Sequence, residues 1–82
     1  SKSIILFLTL NYIKRSAGNE FSSRSAYATY IRHQRDLGLE FLEEAAFYKR
    51  LAKSMGTEYN AVGCNFIHGQ RIRGYKGFEL LD

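Results

Sequence analysis

Between positions 43 and 55 the apolar residues fall into a single stripe. At about 100° per residue, Phe47, Leu51, Met55, Tyr48 and Ala52 share an arc of roughly 140°, and Ala46, Lys49, Arg50 and Lys53 lie outside it. This pattern predicts a helix over Glu43–Met55 with one face for a core and the other cationic. Glu43 and Glu44 in its first turn and Lys53 in its last suit the helix dipole, and Gly56 follows. No Ser, Thr, Asp or Asn stands directly before it, so Glu40 is the nearest acceptor for its start.

A second helical period runs through SRSAYATYIRHQRDL. Tyr27, Tyr30, Ile31, Gln34 and Leu37 line its inner side, with Arg32, Arg35 and Asp36 outside, Ser22 or Ser23 as the N-cap and Gly38 as the stop. His33 sits at the border of the apolar face and reads as a structural side chain rather than a proton carrier. Leu39–Leu42 joins the two helices. Upstream, SIILFLTLNYIKRS is apolar nearly all the way round. It predicts a further helix buried on several sides or making a dimer or domain contact through its spare face; its β-branched and aromatic content keeps a strand open. Lys14 and Arg15 suit the end of that helix, Gly18-Asn19 marks a turn, and Glu20–Ser22 is a short edge strand.

After Gly56 the period changes. Val62–His68 and Arg71–Leu81 read as two strands around His68-Gly69-Gln70, with Ile72, Phe78 and Leu80 inward. Gly74 and Gly77 beside Tyr75 suit a bulge or a close backbone approach, and Thr57–Ala61 is irregular. The order helix, short strand, helix, helix, hairpin predicts an α+β winged helix-turn-helix: three helices, a short edge strand and a C-terminal β-hairpin wing, in one domain over 1–82. The absence of Met at position 1 reads as a fragment of a larger protein.

Eighty-two residues, 45% hydrophobic and with six Phe and six Tyr, suffice for one core and argue against disorder. The single Cys64 excludes an internal disulfide and suits a reducing, intracellular compartment. Cys64 with the distant His33 and His68 forms no metal-ligand pattern. Ile4–Leu10 is too short to span a bilayer and lacks a signal-peptide cleavage pattern. No phosphate-binding loop, carboxylate pair or nucleophile with a marked base is present. The chain is therefore expected not to be an enzyme and to need no cofactor, metal, membrane or small-molecule substrate.

Charge changes the picture most. Twelve Lys and Arg against eight Asp and Glu give +4, and the signs are segregated: Asp36, Glu40, Glu43 and Glu44 precede Lys49, Arg50, Lys53, Arg71, Arg73 and Lys76. A cationic helix face is ordinarily a solvated surface, but here a basic hairpin follows it, and the pair suits double-stranded DNA. Lys49, Arg50 and Lys53 are the candidates for the major groove, with Arg50's fork suited to guanine. Arg71, Arg73 and Lys76 are the candidates for wing contacts, with His68 or Gln70 at the tip. Tyr75 belongs beneath the wing or against a sugar, and Arg32 and Arg35 touch the backbone or face water.

Nearly the whole chain resembles the winged-helix domain at the C-terminus of primase-helicases from viruses and mobile elements, and the related RFX-type DNA-binding domain. Tyr27-Ala28-Thr29-Tyr30-Ile31-Arg32, Phe47-Tyr48-Lys49-Arg50-Leu51, His68-Gly69-Gln70-Arg71 and Gly74-Tyr75-Lys76-Gly77-Phe78-Glu79-Leu80 carry the likeness. The hairpin is closer to the primase-helicase type; the helix with Tyr27, Tyr30, Arg32 and His33 is equally like the RFX type. Tyr48 replaces the glycine common after the phenylalanine, and Thr57–Asn65 carries few charges. The resemblance implies a domain that places a replication enzyme, or a transcription regulator, on duplex DNA in the nucleus or cytoplasm of a host cell. A protein-interaction or self-association module built on the first helix is the other expectation.

Overall fold

The computed structural model describes residues 12–55, 62–67 and 70–81, the side chains of 62–67 and 70–72 excepted. Its elements are strand β1 (Ile13–Ser22), helix α1 (Ser23–Asp36), helix α2 (Glu44–Met55), strand β2 (Val62–Ile67) and strand β3 (Gln70–Leu80). The three strands form one antiparallel sheet in the order β1-β3-β2.

The class is α+β as expected, but the plan of three helices plus a hairpin wing is overturned. Two helices occur among the described residues, and the hairpin does not stand free: β3 is the middle strand, flanked by β1 as well as β2. Most of the expected first helix, and with it the expected docking face, lies outside the described residues. Its end, Ile13–Ser16, is strand. The reason is pairing at long range. Ile13 stands opposite Leu80, Lys14 opposite Glu79 and Arg15 opposite Phe78, and Leu81 N–H donates to Tyr12 C=O at 2.7 Å. Side chains there alternate as a strand requires: Lys14 pairs with Glu79 at 3.4 Å, whereas the Arg15 guanidinium lies 5.5 Å from the Phe78 ring centroid. The Gly18-Asn19 turn signal becomes an irregularity within β1 between Arg15 and Glu20, with Gly18 at φ +86° and the Asn19 amide donating to Ser16 Oγ. The expected edge strand at Glu20–Ser22 is the end of this longer one.

Helix α1 starts and stops for local reasons. Ser22 Oγ accepts from Ser25 N–H at 3.0 Å, the N-cap geometry. Gly38, at φ +68°, closes the other end: Gly38 N–H donates to Arg35 C=O and Leu39 N–H to Gln34 C=O, at 3.0 and 2.8 Å. Helix α2 begins within a residue of the expected start, Phe47 N–H donating to Glu43 C=O at 2.8 Å.

The core lies between the sheet and the helices. Tyr30 stacks on Phe47 with centroids 4.6 Å apart, and Phe21 meets its strand partner Tyr75 at 5.5 Å. Ala26, Leu51, Met55 and Phe78 complete it, the non-directional burial that dominates the folding free energy.

Candidate nucleic-acid interface

Helix α2 carries the candidate site, and its inner stripe fixes which way the site faces. Phe47 and Leu51 are fully buried and Met55 nearly so, which turns Lys49, Arg50 and Lys53 outward, all three exposed. Lys49 and Lys53 are one helical turn apart on the same face. Of the expected apolar arc, Tyr48 is half-buried and Ala52 exposed.

The beginning of α2 is held by side chains of α1. Tyr27 Oη donates to Leu42 C=O at 2.8 Å, Leu42 N–H donates to Tyr30 Oη at 2.9 Å, and Gln34 Nε2 donates to Glu40 C=O at 2.6 Å. With its amide nitrogen so committed, Gln34 presents Oε1 to His33 Nδ1 at 2.9 Å, and that ring nitrogen carries the proton. The loop thus has partners for backbone groups that regular structure would otherwise supply. Tyr27 also packs on Phe47 at 5.3 Å.

Two tyrosines beside this face titrate high. Tyr48 Oη donates to Glu44 Oε1 at 2.8 Å; burial first, then the bond to that carboxylate, push its phenol up to about 12. Tyr27 is raised by burial and by Glu44, Tyr30 and Glu43. The charge of Arg24 acts on Tyr48 in the opposite sense. Arg24 is exposed, and sequence periodicity had no means of joining it to α2.

The strand candidates divide. Arg73 and Lys76 are exposed. By strand alternation Arg73 shares the face of Tyr75, the side on which the helices pack, and Lys76 leaves from the outer face. Lys76 stands opposite Glu20 in the register. Arg71 lies in β3 as expected, and Gln70, expected in the turn, already belongs to that strand; they stand opposite Phe66 and Ile67, and His68 lies outside the described residues. Burial raises the Tyr75 phenol, and its ring belongs to the core, not to an exposed surface. Arg32 lines an open cleft of about 350 Å³ with Tyr12, Thr29, His33 and Asp36; Arg35 lies with its guanidinium 5.8 Å from the Phe41 ring centroid.

No family model, curated protein or solved structure matches the chain. Among the described residues no helix is long and apolar enough to cross a membrane.

Proposed function

We propose that the chain binds double-stranded DNA through the outward face of α2. The observation that carries this reading is the grouping of Lys49, Arg50 and Lys53 on the exposed side of a helix whose other side is locked into the core. A helix is narrow enough for the major groove, and three cations without a large apolar neighbour suit phosphates and base edges better than a protein surface. Arg50 is the side chain suited to the paired acceptors of guanine. Arg73 adds a phosphate contact from the sheet; Lys76, on the outer face, is the least suited of the set.

The residue likeness extends the proposal to a setting: placement of a replication primase-helicase on duplex DNA, inside the host cell. The Tyr27, Tyr30, Arg32 and His33 pattern favours, as a second reading, the DNA contact of an RFX-like transcription factor. Fluorescence anisotropy with labelled duplexes tests the common element. The triple variant Lys49→Ala, Arg50→Ala, Lys53→Ala changes only exposed positions and is expected to fold and to lose affinity at least about tenfold, since each direct contact contributes on the order of 1 kcal/mol or more. Unchanged affinity, or no duplex binding by the parent chain at low salt, would remove the proposal.

A further inference from the structure

The loop from Leu37 to Glu43 displays apolar side chains that the fold does not use. Of the large apolar side chains standing exposed among the described residues, Leu37, Leu39 and Phe41 lie here, 53, 40 and 44% exposed. The display is held firmly. Leu42 is tied through its backbone to Tyr27 and Tyr30, Glu40 C=O to Gln34, and Leu37 N–H, Gly38 N–H and Leu39 N–H to the last carbonyls of α1. Such a surface loses little conformational entropy when something covers it.

Charge decides what covers it. Asp36, Glu40, Glu43 and Glu44, four of the chain's eight acids, lie within this loop or directly beside it in sequence and are exposed. Arg35, over the Phe41 ring, is the cation at the rim. Phosphates of nucleic acid or of an anionic membrane are repelled by such a border. A second copy is a poor match, because the cationic face of α2 offers no exposed large apolar residue to seat on Leu37, Leu39 and Phe41. We infer that this loop is a docking surface for a cationic amphipathic helix of a partner protein, whose apolar stripe covers Leu37, Leu39 and Phe41 while its Lys or Arg residues meet the acidic border.

The test is a titration of the whole chain with a synthetic amphipathic Lys/Leu helical peptide, followed by calorimetry and by amide shifts. Binding is expected with shifts gathered over residues 36–44. It is expected to weaken at least about tenfold in Phe41→Ser and in the double variant Glu40→Lys, Glu43→Lys, and to vanish when Glu replaces every Lys of the peptide. Shifts centred elsewhere, equal affinity for the variants, or no binding would overturn the assignment. So would a concentration-dependent dimer, seen by sedimentation of the chain alone and lost in Phe41→Ser, which would assign the loop to a second copy. Duplex affinity of Phe41→Ser stays at the parent value in the expected case, so this inference and the DNA reading fail separately.

Discussion

A Cβ built on Gly74 would lie 2.1 Å from Phe21 O and 3.0 Å from Ser22 Cα. Both are backbone atoms of the paired strand, so neither yields by rotating a side chain. Gly74→Ala is therefore expected to part β1 from β3 where the chain enters α1. The loss should reach about 1–3 kcal/mol in urea unfolding, the range of overpacked core sites. Gly38→Ala makes the contrast: nothing stands within 4 Å, but φ is +68°, and about 1 kcal/mol is expected from backbone strain alone. Tyr48 gives a residue-scale prediction of another kind. Its phenol ionises near 10 in an unfolded chain and is pushed up to about 12 in the fold. The fold thus favours the protonated form, a contribution fully present below pH 10 and lost as pH rises through about 12. Chemical denaturation between these limits should show declining stability, and a shallower decline in Tyr48→Phe. Tyr27 and Tyr75, raised as well, account for the decline that remains in that variant.

Among the elements α1 is central, because it packs on both β1 and β3 and also on α2. Its polar atoms set the path into α2. Tyr30→Phe keeps the stacked ring on Phe47 but removes the acceptor of Leu42 N–H, and about 1–3 kcal/mol of stability is expected to go with it, read by thermal or urea unfolding. What was legible in the sequence follows the range of the forces involved. The Ser22 cap, the Gly38 stop and the Phe47, Leu51, Met55 stripe are decided within one or two turns, and they stand where the pattern put them. Leu37 was expected inside. The helix ends just before it, and the reversal at Gly38 leaves it in solvent. Gln34 was expected on the inner side and is there, but for a reason that spacing does not contain: its amide serves the backbone of Glu40. For Ile13–Ser16 the β-branched and aromatic content leaves a strand open beside the helix, but local pattern does not decide between them, since the partners Phe78, Glu79 and Leu80 stand at the far end of the chain. The cations of α2 were legible from helical period; the electrostatic influence of Arg24 on Tyr48, which depends on how α1 and α2 pack, was not.

For the whole molecule the decisive property is where its charge sits. The net +4 understates the asymmetry, since four of the acids lie within or directly beside the α1–α2 loop in sequence while Lys49, Arg50 and Lys53 stand together on α2. Binding of duplex by α2 releases condensed counterions in proportion to the phosphates neutralised, about 0.9 per phosphate in the slope of log affinity against log salt. Removing all three α2 cations should flatten that slope by about 2–3, and Lys53→Ala alone by about 1. Lys76→Ala should leave it unchanged, because Lys76 leaves the sheet on the face opposite Tyr75. An equal flattening for Lys76→Ala and Lys53→Ala would mean that phosphates sense the net charge of the chain and not the face of one helix. A flattening in the α2 variants and in Arg73→Ala but not in Lys76→Ala, with the relative affinities for different duplexes altered in Arg50→Ala alone, is the result expected of a helix that both holds the DNA backbone and reads its bases, with one further phosphate met from the sheet.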